Sequence, residues 1–377
     1  MKQVDTVVVG AGVSGLVAAT ELVRAGRQVL CLEARPRPGG RALSVSTRSG
    51  PVDLGATWYW PGEDEVSGLA RSLGVSTFPQ HLAGDVLLER PIPAAPAAEP
   101  TGEGAVEVQR VPGNPIDVPS YRFTGGAGDL VTRLAGQLPN GVLQCATPIV
   151  SIAETAGGVI VRSLTPDPAH AAVAARSVVL ALPPALAVAS IDFPAGLDPQ
   201  VAAVATQTAV WMGEVVKAVA VYETAFWRSE GLAGAAVSYR GPFREFHDMS
   251  GDAGTVPALF GFAPSTSFAS VDHEEVQRTF LDQLVRLFGD RASRPLAVLA
   301  KDWGREEWTT PPHQSAAAAT VVSFGHPIFS RANPSRTILW ASTETSELHA
   351  GHLDGAVHAG ARVARTILTS PEHAGDA

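Results

Sequence analysis

Residues 5–41, DTVVVGAGVSGLVAATELVRAGRQVLCLEARPRPGGR, constrain the fold more than any other stretch of the chain. They open with an apolar, β-branched run, Thr6-Val7-Val8-Val9, of the kind a buried parallel strand requires. Gly10-Ala11-Gly12-Val13-Ser14-Gly15 follows in G-x-G-x-x-G spacing and leads into a helical pattern with Leu16, Ala19, Leu22 and Val23. In a nucleotide site the first glycine permits the tight turn, the second admits a pyrophosphate to the backbone, and the third lets helix and strand pack closely. The anion then rests on unpaired N–H groups at the positive end of the helix. A second strand, Gln28 to Leu32, ends at Glu33, where a carboxylate can accept hydrogen bonds from both ribose hydroxyls and so favours an unphosphorylated ribose. Strand, helix and acid together specify a dinucleotide fold. They do not separate NAD from FAD.

The 377 residues are long for one domain and suited to two, and 45% hydrophobic content describes a well-cored globular chain. A net charge of −9 argues against nucleic acid or an anionic membrane surface as the main partner. Two cysteines, Cys31 and Cys145, make neither a disulfide framework nor a metal set, and no metal is expected. The first strand starts too early to leave room for a signal peptide. The most apolar window, Val7 to Val23, holds Glu21 and three glycines, which suits strand plus helix better than a membrane span. The expectation is a soluble, cytoplasmic protein.

Gly39-Gly40-Arg41 comes six residues after Glu33, too soon for the next strand of a plain NAD fold. The glycine pair allows tight passage, and Arg41 can neutralise diphosphate charge. Leu32-Glu33-Ala34-Arg35, Gly39-Gly40-Arg41 and Asp53-Leu54-Gly55-Ala56-Thr57-Trp58 together resemble the flavin-containing amine oxidases. So does a closing block: Leu339-Trp340-Ala341-Ser342, Thr343-Glu344-Thr345, then Gly351-His352-Leu353-Asp354-Gly355-Ala356-Val357. The resemblance implies an α/β fold with a Rossmann-like FAD-binding domain assembled from residues 1–78, 122–200 and 308–377. A mixed-sheet, partly helical substrate domain takes residues 79–121 and 201–307. It implies FAD held by Gly10, Ala11, Gly12, Val13, Ser14, Gly15, Glu33, Ala34, Arg35, Gly40 and Arg41. Gly55, Ala56, Thr57, Trp58, Val150, Trp303, Glu344 and Leu353 complete that set. In the family the last helix aims its positive end at the flavin's pyrimidine edge, where charge develops on reduction.

Between these blocks the chain reads more plainly. Residues 88–118, with Pro91-Ile92-Pro93-Ala94-Ala95-Pro96, read as an extended loop, and the whole of 79–121 as a shortened lid. Leu130, Leu134 and Leu138 mark a helix; Val142 to Val150, Val159 to Val161 and Ser177 to Leu182 read as strands. From Val215 to Tyr222 apolar residues alternate, with Val215, Lys217, Val219 and Val221 on one face. An ammonium among valines must reach water, a carboxylate or a ligand. Either Lys217 reaches solvent at a strand edge or it serves a site. Gly213-Glu214-Val215-Val216-Lys217 matches the family stretch whose lysine binds a water facing the flavin, and the resemblance therefore makes Lys217 the catalytic residue.

The family normally flanks the amine with an aromatic pair. His352 stands where one tyrosine is usual, and His313 falls near the other; with Trp58 they are the candidate substrate-binding residues. No counterpart of a covalent flavin cysteine is present, so FAD is expected to be non-covalent. The resemblance implies hydride loss from the carbon beside an amine, an imine product, and reoxidation by O2 to peroxide. The short lid and altered pair suggest an open site for a larger or more polar amine, as in secondary metabolism, with a homodimer partner as one source of cover. A dehydrogenase or desaturase using another acceptor, and an FAD-binding protein without turnover, are the alternatives.

Overall fold

The apolar start of the chain forms β1 (Lys2–Val9), paired in parallel on both sides. Val8 enters the core beneath α1 (Val13–Arg24), while Val7 and Val9 enter the core on the other face, so no valine of the run is wasted on solvent. The computed structural model describes residues 1–91, 106–164, 171–311, 324–331 and 337–370. After α1 come β2 (Val29–Leu32), the hairpin β3 (Ser44–Thr47) and β4 (Gly50–Asp53), α2 (Asp64–Ser72) and β5 (Thr77–Pro79). Next are β6 (Asp85–Pro91), β7 (Val106–Val111), β8 (Tyr121–Phe123) and α3 (Ala127–Ala135). β9 (Leu143–Gln144), β10 (Ile149–Thr155), β11 (Gly158–Ser163) and β12 (Ala172–Leu180) precede α4 (Pro184–Ser190) and α5 (Pro199–Gln207). Then follow β13 (Val215–Val221), α6 (Phe226–Ser229), β14 (Leu232–Ser238), β15 (Glu245–Asp248) and β16 (Ala258–Pro264). α7 (His273–Phe288), β17 (Ala297–Asp302), β18 (Ile338–Trp340) and α8 (Leu353–Thr369) close the chain.

Two large sheets result. The first runs β10-β11-β12-β1-β2-β9, with β18 added to β12. β12 is long enough to pair antiparallel with β11 through its first half and parallel with β18 through its second. Its strands come from residues 1–78, 122–200 and 308–377, which are joined only by tertiary pairing. α8 packs on α1 so closely that a Cβ on Gly360 would lie 2.3 Å from the Ser14 carbonyl oxygen. The second sheet runs β17-β13-β16-β15-β14-β6-β7, with α7 over one face.

Two readings of the sequence are corrected. Residues 88–118 do not form one extended loop: β6 pairs parallel with β14, and β7 closes an antiparallel hairpin on β6. The Val-Glu-Val-Gln alternation from Val106 carried that strand signal, and the prolines around it masked it. Residues 142–150 are not one strand either. Ala146, at φ 53°, breaks the run, and the N–H groups of Ala146 and Thr147 donate to the Arg35 and Glu33 carbonyls at 2.8 Å each. The break folds this segment over the end of β2.

Candidate active site

The parallel strands β1, β2, β12 and β18 all end at one rim, where the crevice of an open α/β sheet is expected. A cleft open to solvent lies there. Its walls are Gly10, Gly12, Val13 and Ser14 after β1, and Glu33, Ala34 and Arg35 after β2. Gly39, Gly40, Arg41 and Ala56, Thr147 and Ile149, and Ser342, Thr343, His352 and Leu353 complete the predicted segments.

The three glycines differ as their proposed jobs require. Gly10 has φ +96° and its Cβ would meet the Ala181 carbonyl oxygen at 2.9 Å; a Cβ on Gly15 would lie 1.9 Å from the Gly10 oxygen. At Gly12 nothing lies within 4 Å, and this position faces the cleft. α1 starts at Gly12 with no side-chain cap and no acidic residue in its first turn, so its positive end is open to an anion. The buried hydroxyl of Ser342, on the cleft wall, has no hydrogen-bond partner among the described residues. A diphosphate-bearing dinucleotide fits these features.

Glu33 is buried at the edge of the cleft, its two carboxylate oxygens accepting from the Ala11 N–H at 2.8 Å and the Arg35 N–H at 2.9 Å. Arg35 is held by Thr309 (2.7 Å) and Glu306 (3.3 Å). Arg41 is ion-paired with Glu344, which is fully buried and not on the cleft wall. The charge of Arg41 is thus already balanced within the protein. Val150 and Trp303, both expected at the cofactor, are not among the residues of the cleft wall. The Val150 carbonyl accepts from the Asp192 N–H behind the rim, and Trp303 is fully buried with its indole N–H on the Leu54 carbonyl at 2.8 Å. Trp58 also lies off the wall, packing on Phe260 and His247 with both centroid distances 5.2 Å. His313 lies outside the described residues.

Lys217 does not sit at a strand edge. β13 runs between β17 and β16, and the lysine is fully buried on the face that carries Val219 and Val221 against Val52 and Leu54. Its Nζ donates to the Gly55 carbonyl at 3.0 Å and to the Thr57 hydroxyl, and lies 4.4 Å from the centroid of Phe260. Burial pushes its pKa down to about 7; the nearby Asp53 carboxylate opposes that fall and Arg122 adds to it. Gly55 and Thr57 flank Ala56, a wall residue, so the lysine stands directly behind the cleft.

Sequence reasoning missed the wall made by Ala181, Leu182, Pro183 and Leu186, and also Met212, Trp308 and Thr309. The Pro183-Pro184 break after a strand was visible, but nothing local says that β12 lies beside β1. Neither cysteine is on the wall, and burial raises the pKa of both thiols. Among the described residues no helix is long and apolar enough to cross a membrane.

Fold and cleft define a Rossmann-type, dinucleotide-binding oxidoreductase built from a discontinuous chain. The chain belongs to the flavin containing amine oxidoreductases, whose family model matches residues 103–368. A second model, the NAD(P)-binding Rossmann-like domain, matches residues 8–73. It is accordingly a flavoprotein acting on C–N bonds, with FAD as cofactor. The chain is 30% identical to AofH of Mycobacterium tuberculosis, named a flavin-containing monoamine oxidase, across 97% of this chain and 96% of that one. It is 25% identical to the putrescine oxidase of Kocuria rosea, across 97% and 95%. The alignment with AofH takes 448 positions against a chain of 377 residues, so this chain lacks stretches that AofH has. A solved structure of putrescine oxidase bound to putrescine superposes with a TM-score of 0.79 at 21% identity, over 98% of this chain and 99% of that one. Cyclohexylamine oxidase from Brevibacterium oxydans gives 0.75 at 22%, over 96% and 98%.

Proposed function

We propose that this protein oxidises a small-molecule amine at the carbon beside nitrogen, giving an imine, with O2 as final electron acceptor and peroxide as product. The placement of Lys217 carries this reading: a fully buried lysine with its pKa near 7, directly behind the wall residue Ala56. Bound non-covalently in the cleft, FAD supplies the two-electron acceptor. The open end of α1 and Gly12 would hold its diphosphate, Glu33 its ribose, and the start of α8 the end where negative charge develops. Lys217 spends two donors on Gly55 and Thr57; its charged form keeps a third N–H for a water. With a pKa near 7 it can hold or release a proton at Nζ while dioxygen is reduced. This reading carries with it the two-domain division, which the strand membership of the two sheets supports.

Anaerobic titration of the yellow protein with a panel of amines, followed by air, tests the proposal. The names of the relatives put putrescine and cyclohexylamine first in the panel. Bleaching by one amine class, with colour and peroxide returning in air, is the expected result. Colour that stays bleached in air would make the enzyme a dehydrogenase. Failure of every amine to bleach the flavin would overturn the proposal.

A further inference from the structure

His352 begins α8 and lines the cleft, yet its ring is not free to act as a simple aromatic wall. Its Nδ1 lies 2.5 Å from Oε1 of Glu63, a carboxylate whose side chain is 3% exposed. The other oxygen, Oε2, accepts from the Trp60 N–H at 3.0 Å, so both sides of the carboxylate are fixed. The Trp60 ring packs on the imidazole with centroids 4.8 Å apart, too close for a methylene to pass between them. Trp60 and His352 therefore make one braced unit and not a pair of walls around an amine. With Nδ1–H donated to Glu63, the remaining nitrogen, Nε2, is the acceptor. The His352 side chain is 42% exposed, so a proton taken by the ring can leave to water.

We infer that His352 is the base that deprotonates the substrate's ammonium group, with Glu63 as its positioning residue. This deepens the proposed amine oxidation and rests on it. In the step, Nε2 forms a bond to hydrogen as one ammonium N–H bond breaks; the electron pair stays on the substrate nitrogen, giving the neutral amine. The imidazolium is held by the Glu63 carboxylate and passes its proton to solvent. The chemistry requires the neutral amine. An alkylamine with a lysine-like pKa near 10.4 is neutral in only about one part in 2500 at pH 7, and only the neutral amine can release hydride. The titratable groups around the ring are few. Glu63 faces it from the start of α2. His349 stacks at 6.5 Å and is itself bonded to Asp354 of α8, and Arg41, paired with Glu344, lies along the same cleft.

Two measurements test this. Anaerobic flavin reduction is followed against pH with one alkylamine in wild type, Glu63→Gln and His352→Gln, each first shown to bind FAD. The wild-type rate should depend less steeply on the free-amine fraction than that of His352→Gln. His352→Gln should fall about 100- to 1000-fold at pH 7. It should then rise in proportion to the free-amine fraction, and regain rate with a fluorinated amine of low pKa. Glu63→Gln keeps an acceptor for the Trp60 backbone N–H but removes the carboxylate that holds the ring, so its rate should fall between those of wild type and His352→Gln. Independently of turnover, nitrogen-15 spectra of histidine-labelled, FAD-free protein should show His352, assigned by its loss in His352→Gln, as the Nδ1–H tautomer. Glu63→Gln should weaken that preference. Wild-type reduction by an amine, with the same pH profile in all three proteins, would overturn the inference and leave the proposed function standing. An Nε2–H tautomer in wild type would do the same. A wild type that no amine reduces would sink both.

Discussion

Lys217→Met gives the sharpest test of the buried lysine. Below its native pKa of about 7 the ammonium must be buried charged, while in the unfolded chain it keeps the ordinary value of 10.5. Between those values the unfolded chain binds a proton that the native protein does not, so stability must rise with pH through this window. Each pH unit well inside it adds about 1.4 kcal/mol, and the full span at most about 5 kcal/mol. From pH 7 to pH 9, where the native group is already half neutral at the start, the gain attributable to Lys217 is about 2 kcal/mol. Methionine fills the volume but cannot donate to Gly55 or Thr57, which costs about 1–3 kcal/mol independent of pH. The assay is urea unfolding of FAD-free wild type and variant at both pH values. The difference of differences removes the pH-independent term and the raised thiol pKa values of Cys31 and Cys145, shared by both proteins. If wild type and Lys217→Met gain the same stability between pH 7 and pH 9, the lysine is not held near 7 and the reasoning fails.

Gly12→Ala should leave the stability of FAD-free protein within about 1 kcal/mol, since nothing lies near the new Cβ, yet it should weaken FAD binding at least tenfold. Gly15→Ala, with a Cβ 1.9 Å from the Gly10 oxygen, should instead lower the melting temperature by the equivalent of about 1–3 kcal/mol. Arg41→Gln strands the fully buried Glu344 carboxylate and should cost about 3–5 kcal/mol, most of it recovered when Glu344→Gln is added; equal losses in single and double variants would contradict the pairing. His247 is buried, which lowers its pKa, but its bond to Asp117 and the charges of Asp117 and Glu245 outweigh that and hold it above 6.5. Its contribution is fully present below pH 6.5 and is lost as pH rises through the native value. Lys217 contributes equally to both proteins, so the change in melting temperature from pH 6 to pH 8 should be less favourable in wild type than in Asp117→Asn.

The sequence by itself determined the dinucleotide half of the site. Gly10, Gly12, Gly15 and Glu33 belong to one strand–turn–helix–strand unit, whose geometry follows from local backbone rules and a periodic apolar pattern. It also determined that Lys217 shares a face with valines, because a strand alternates with period two. The tertiary structure decided what those residues meet. Only sheet pairing places β12 and β18 beside β1, and so brings Ala181 and Ser342 to the rim. Only packing of β13 against the Leu54–Thr57 turn removes Lys217 from water and lowers its pKa. Trp303 and Val150 carried motif positions, and what they meet within the chain, the Leu54 carbonyl and the Asp192 N–H, was decided by long-range packing. Glu63 had no signal at all. It lies far in sequence from His352, and a carboxylate near the start of a helix looks like a cap until the fold brings an imidazole to 2.5 Å. Local patterns fix which chemistry each segment can offer; long-range contacts, which no local pattern encodes, fix which groups are desolvated together and hence what they can do.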